Sequence, residues 1–311
     1  MKQTLMAMLL AAAAATAPAA QLSSDAKSAI PRDVQQIITV DYRAMQNSSA
    51  AMALKDRVLP PELKRLESAL KSSGLKVDQD ADNLAFVAYR TGEGSTTNII
   101  GIAQGQFRTR DILAYFAKNK IKPTMLRNNA IYPMGAQGMS VVWLNQTTMV
   151  FGDKNAVRTS LEARDGNIPN FLNGDLASEM PNVDDKAVWS LLDQKGTQTM
   201  MKSVMGDASQ LADYDTVRNR MKSSRYTMDF SNGVKFDMSV VTSDTVTAAT
   251  IASLMKAVSM YKQTSGSTDE KQALDHTTIS SNSGTITVAY ASSDSQFASL
   301  LSSSLFQQVV R

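Results

Sequence analysis

A serine three residues ahead of a lysine puts hydroxyl and amine on one helical face, where the amine can serve as base for a nucleophilic hydroxyl. That spacing occurs at Ser24/Lys27, Ser68/Lys71, Ser253/Lys256 and Ser259/Lys262. With 34 serines and 18 lysines in the chain, chance supplies such pairs readily. No Lys-Thr-Gly follows to complete a penicillin-recognising set. Asp78, Asp80 and Asp82 match the first three acidic positions of an EF-hand loop. The glycine position holds Asn83 and the bidentate glutamate position holds Tyr89, so the run reads as a solvated turn between helix and strand. His276 is the one histidine, and without a G-x-S-x-G partner it reads as a surface or hairpin residue. Neither a G-x-x-x-x-G-K-[ST] nor a G-x-G-x-x-G run is present, so nucleotide binding has no support.

Softer chemistry fares no better. Met200, Met201 and Met205 cluster, as do Met255 and Met260. Thioethers of an exported protein can hold Cu(I), yet their helical spacing reads as the filling of irregular core gaps. Lys118, Lys120 and Lys122 precede Pro123, where cations suit the end of a helix. No aromatics interleave with them, and a net charge of +3 is too small to point to nucleic acid. The absence of cysteine excludes disulfides, thiolate metal sites, cysteine nucleophiles and a lipidated N-terminal cysteine. These readings assign no catalytic, cofactor-binding or metal-ligating residue, and no cofactor is expected.

The elements that would position any site begin with an address. Lys2, the apolar run Leu5 to Ala15 and Ala17-Pro18-Ala19 form the three parts of a secretory signal peptide over 1–19. The run is shorter than the ~20 apolar residues of a spanning helix, so the mature chain is expected to carry no transmembrane segment and to be periplasmic or secreted. A polar lead over 20–30 follows. The remaining chain is long enough, at 43% hydrophobic residues, to bury a core without disulfides.

From Asp33 to Tyr42 the β-branched residues predict a strand. Leu59-Pro60-Pro61 opens a helix with Leu63, Leu66 and Leu70 on one face and Gly74 at its stop. Leu84–Tyr89 and Ile99–Phe107 predict a hairpin around Thr91–Ser95. A helix capped by Thr109 or Asp111, three short strands and a helix capped by Asp153 complete this half. The same order then recurs. Ala187–Leu192 is a strand and Thr197–Asn219 a helix. Arg225–Phe230 and Val234–Val241 form a hairpin about Ser231-Asn232-Gly233. A helix over Asp244–Tyr261, strands about Asn282-Ser283-Gly284, and a helix over Asp294–Phe306 close the chain. The expected class is α+β: two tandem ferredoxin-like (split βαβ) halves, 31–168 and 169–311, each with an antiparallel sheet covered by helices on one face.

Gly74 to Leu84 (GLKVDQDADNL), Ala130-Ile131-Tyr132, Thr148 to Asp153 (TMVFGD), Ala156-Val157-Arg158 and Val188-Trp189 carry a resemblance over residues 31–195. In these stretches the chain resembles a family of exported bacterial proteins without assigned biochemistry. The shared features are turns, caps and a strand aromatic, so the resemblance implies fold and export and no catalytic residue. The functional expectation is an exported, non-catalytic envelope or extracellular protein, a binding or interaction module for a protein or small ligand. The alternative is a hydrolase with a site of scattered Ser, Lys, Asp and Glu.

Overall fold

The computed structural model describes residues 21–58, 64, 65, 68, 77–91, 97–135, 138–205 and 214–302. The expected signal peptide, most of the expected helix over 59–70, the glycine stop at 74, the turn at 92–95 and the end of the last helix lie outside the described residues.

Polar residues at the joints start the elements. Ser23 accepts from the amide of Ala26 (3.2 Å) and opens α1 (Ser24–Ser28). β1 (Val34–Asp41) ends on Asp41, whose carboxylate caps α2 (Tyr42–Gln46) at the amide of Ala44 (2.7 Å), and α3 (Ser49–Val58) follows. After α4 (Val77–Asp80) come β2 (Ala81–Arg90), β3 (Thr97–Gly105) and α5 (Thr109–Lys118). Four strands follow, β4 (Thr124–Leu126), β5 (Asn129–Met134), β6 (Met139–Trp143) and β7 (Thr148–Asp153), then α6 (Lys154–Arg164). Asp153 occupies the expected cap position of α6 without making a capping bond, whereas the cap position of α5 falls on Arg108, which makes none, and the expected caps Thr109 and Asp111 lie inside the helix.

Two 3-10 stretches, Phe171–Asn173 and Asp175–Asn182, lead to β8 (Val188–Leu192), α7 (Gln194–Met205) and α8 (Tyr214–Arg218). β9 (Met221–Asp229) and β10 (Val234–Thr242) follow. Next come α9 (Thr245–Ser265), α10 (Thr268–Asp275), β11 (Thr277–Asn282), β12 (Thr285–Ser292) and α11 (Asp294–Ser302). The turn at Asn282 carries positive φ at Ser283 (49°) and Gly284 (83°), the geometry of a tight hairpin of type I′.

Among the described residues all twelve strands form one antiparallel sheet, in the order β11-β12-β10-β9-β8-β1-β2-β3-β7-β6-β5-β4. The two halves meet where β1 pairs with β8, Ile37 opposite Leu191 and Thr39 opposite Trp189. The ferredoxin-like expectation fails at the first helical connection. In a split βαβ unit the strands flanking the helix run parallel with another strand between them. Here β1 pairs directly and antiparallel with β2, and β8 with β9. Both connections bring the chain back to the sheet end that it left: Asp41 pairs with Asn83, and Leu192 with Ser224, which direct antiparallel neighbours require. The second connection is split: β10 and β11 run parallel with β12 between them, and β3 and β6 with β7 between them.

Coverage on one face also needs correcting. One face of β1, β2, β3 and β7 packs Ile37, Val87, Ile100 and Val150 against α1, α6 and the 3-10 stretches, through Ala26, Leu161 and Phe171. The opposite face packs Phe86, Phe151 and Met149 against α5, through Ile112 and Phe116. A strand covered on both sides reads as a continuous apolar run, and β8 is buried at all five positions. Over β9, β10 and β12, among the described residues, the apolar cover lies on the second face, from α7 and α9 through Met201, Met205, Ile251 and Met255, with α3 and α11 beside them. Here the expected alternation holds: Tyr226 and Met238 point inward, while their neighbours Lys235 and Asp237 are exposed. The lead over 20–30 is not simply polar, since Leu22, Ala26, Ala29 and Ile30 are buried.

Candidate functional site

Where the first half abuts the segment leading to the second, two backbone hydrogen bonds hold two irregular stretches together. The Arg32 amide donates to the Pro169 carbonyl (3.1 Å) and the Phe171 amide to the Ile30 carbonyl (2.8 Å), which makes an antiparallel bridge between Pro31 and Asn170. Behind them the strand ends converge. Arg90 closes β2 with its amide on the Asp33 carbonyl (2.9 Å), and Asp193 follows β8 with its amide on the Gln35 carbonyl (3.1 Å). Two adjoining cavities of ≈ 360 Å³ and ≈ 270 Å³ open here, and both are lined by Arg32, Asp33 and Arg90. The larger adds an apolar wall of Pro31, Tyr89, Ile168 and Pro169; the smaller adds Asn173, Asp175 and Asp193.

Arg90 is the floor shared by both. Its Nη2 is ion-paired with Oδ2 of Asp193, each side chain being 19% exposed. The other Asp193 oxygen accepts from the amide of Gly196 (2.8 Å), so one carboxylate both starts α7 and holds Arg90. Nη1 of Arg90 is buried and meets no protein acceptor. Asp33 sits on Nε of Arg32 (3.4 Å). Glu162 is held by Nη1 of Arg127 (3.2 Å), which also engages Asp165. Burial pushes the Tyr89 hydroxyl above its ordinary range, partly offset by the Thr159 hydroxyl beside it. Asp33, Glu162 and Asp193 thus each face a guanidinium.

The residues whose spacing suggested chemistry lie elsewhere. Ser253 and Lys256 are both exposed on α9, and Lys262 faces Glu270 (3.5 Å). Ser24 and Lys27 sit on α1, and Lys71 falls outside the described residues. Asp82 pairs with Arg43, turning its carboxylate to a guanidinium. His276 is exposed at the end of α10, 3.2 Å from the Gln296 amide nitrogen. Met201, Met205 and Met255 are buried between helix and sheet with Met221 and Met238. Arg90 and Asp193 escaped the sequence reading because 103 positions separate them. The available cue was Asp193 itself, a capping residue between a strand and a helix.

No protein-family model and no curated protein matches the chain. Among solved structures it is similar to crystal form III of TP0453, with a TM-score of 0.55 and 8% identity over 91% of this chain and 99% of that one. Crystal form I of TP0453 is similar with a TM-score of 0.50 and 8% identity, over 90% and 96%. At that identity the likeness is one of fold, and it spans both halves. Among the described residues no helix is long and apolar enough to cross a membrane.

Proposed function

We propose that this chain is an exported, non-catalytic binding module, built by using one α+β plan twice, that holds its ligand or partner in the groove at the base of the seam. The observation that carries the reading is the groove itself: a concave site with an apolar wall of Pro31, Ile168 and Pro169, beside carboxylates held by arginines. Duplication draws support from the strand order read outward from the seam, β1-β2-β3-β7-β6 on one side and β8-β9-β10-β12-β11 on the other, with β4 and β5 as an added hairpin. Export rests on the residues of 1–19 alone. A hydrolase is less well supported, because the described Ser–Lys pairs lie on α1 and α9 and line neither cavity.

The test is affinity capture from an envelope fraction with the mature chain and an Ile168→Trp variant, whose larger side chain would fill the wider cavity. Capture by the first and not by the second is expected. Equal capture by both, or turnover of ester or peptide substrates that is abolished by changing Ser24 or Ser253, would overturn the reading. Mass spectrometry of protein from its native host should show a start near Ala20 or Gln21; an intact Met1 on cytoplasmic protein would remove export.

A further inference from the structure

The two end strands of the sheet are built differently. β4 is three residues long, enters from Lys122-Pro123 and leaves through Arg127 at φ 51°. Shortness, lysine and proline are means of keeping an edge from pairing with another chain. β11 has none of them: Thr277–Asn282 is six residues without charge, proline or a break in its register with β12. Asn282 and Thr285 close a two-residue turn and so form a hydrogen-bonded pair, from which the pairing alternates. The Ala291 amide on the His276 carbonyl (3.3 Å) keeps that alternation. Thr278, Ser280 and Asn282 therefore turn their main-chain groups to β12, while Thr277, Ile279 and Ser281 turn theirs outward. Among the described residues no strand meets that side.

The helix above this edge lacks a water-facing side. α9 packs chiefly on β11 and carries only Lys256 and Lys262 as charges in 21 residues. Val246, Ala249, Ser253, Ala257 and Met260 are all exposed on it, where a helix bordering water normally places charge. Val246, Met260 and Tyr261 are 73%, 67% and 66% exposed.

We propose that β11 pairs antiparallel with β11 of a second copy about a two-fold axis through Ile279, which continues the sheet and brings the two α9 helices side by side. In this register all three outward residues find partners: Ile279 meets Ile279, and Thr277 meets Ser281. It also sets Ile279, which packs beneath α9, against its own copy. Strands lie about 4.8 Å apart, so helices seated over the paired edges come within about 10 Å, the spacing of packed helices. The strand alone is about 20 Å long. A second helix strip of about 30 Å brings the interface toward the roughly 800 Å² per partner of a stable complex. A lone peptide strand would satisfy the edge and leave α9 bare, whereas a second copy covers both. The blunted β4 edge closes the assembly at two.

Sedimentation equilibrium of the mature chain should show a closed dimer at about 50 μM, a concentration above the Kd expected of an interface of this size. Ser281→Pro removes one outward N–H from each copy and leaves the bonds to β12 intact. It should raise the dimer Kd at least about ten-fold, the worth of two main-chain hydrogen bonds, while the thermal transition stays cooperative. Met260→Lys with Tyr261→Lys, which point to the two flanks of α9, should weaken the dimer by a similar factor. The chain has no cysteine, so a disulfide can read the register even if Ser281→Pro fails to fold. Thr278 of one copy faces Ser280 of the other in a non-hydrogen-bonded pair, whose Cα spacing of about 4.5 Å suits a disulfide. A mixture of Thr278→Cys and Ser280→Cys chains should cross-link on oxidation well beyond either variant alone. A monomer, open-ended association, an unchanged Kd in either folded variant, or cross-linking no greater in the mixture would overturn the proposal.

Discussion

Gly101 lies directly against the ring of Phe151, its cross-strand neighbour. A Cβ built there would come within 1.9 Å of the ring's Cζ. Both faces of this part of the sheet are packed, so the ring has little room to retreat. Gly101→Ala should therefore destabilise the fold by about 1–3 kcal/mol, the cost of overpacking a filled core. Urea denaturation checks this, and Phe151→Leu in the same chain should recover part of the loss.

Asp244 offers a second test at this scale. Its carboxylate accepts from the amide of Thr247 (2.8 Å), the hydroxyl of Ser243 (2.7 Å) and the hydroxyl of Thr247 (2.9 Å). These bonds, the amide's first, hold its pKa at about 2, against 3.8 for a free carboxyl. A folded pKa below the unfolded one means that the contribution is complete above the unfolded value and is lost as pH falls toward the folded one. Between pH 4 and pH 2 the denaturation midpoint of the native chain should fall more steeply than that of Asp244→Asn, which keeps the cap and cannot titrate. Parallel falls would show that the capping charge contributes nothing.

Among the elements, α5 is anchored by Ile112 and by the ring of Phe116. Phe116, 1% exposed, stacks on Tyr132 with ring centroids 4.8 Å apart and lies 6.2 Å from Trp143. Phe116→Ala removes the ring that joins α5 to β5 and β6. It should cost about 3–5 kcal/mol by denaturation, with a change in Trp143 fluorescence. Helices and strands with strong local patterns were legible from residues alone. The Ser231-Asn232-Gly233 turn is one, with Gly233 at φ 74°; the apolar stripe of α5 and the inward Tyr226 and Met228 of β9 are others. The short helices were not, because five residues such as Tyr42–Gln46 span little more than one turn and hold their shape through packing, here of Tyr42 and Met45.

At the scale of the whole molecule, one apolar cluster ignores the boundary between the halves. Trp189 and Leu191 of β8 pack with Ile37, Val87, Tyr89 and Leu161. Heat or denaturant should therefore unfold the chain in a single transition, with far-UV circular dichroism and tryptophan fluorescence coincident. Residues 31–168 expressed alone lose Phe171, Trp189 and Leu191 from that cluster and leave β1 as an open edge. They should show no cooperative transition. A folded 31–168 fragment, or two resolved transitions in the intact chain, would mean that the seam is an interface between independent domains.

The residues by themselves determined the α+β class, the order of strong elements and the antiparallel hairpins, because alternation, amphipathic stripes and Asn-Gly or Ser-Gly turns act over distances of a few residues. Only the tertiary structure decided that two sheets become one. That depends on β1 and β8 meeting edge to edge, and no local pattern encodes which edge a buried strand such as Val188–Leu192 will choose. It also decided which face each helix covers, since an apolar stripe specifies burial and not a side. The groove belongs to the same class of decision. Arg32, Arg90 and Asp193 are unremarkable in sequence and line one cavity only because strand ends and the turn after Pro169 are brought to one corner by the packing behind them.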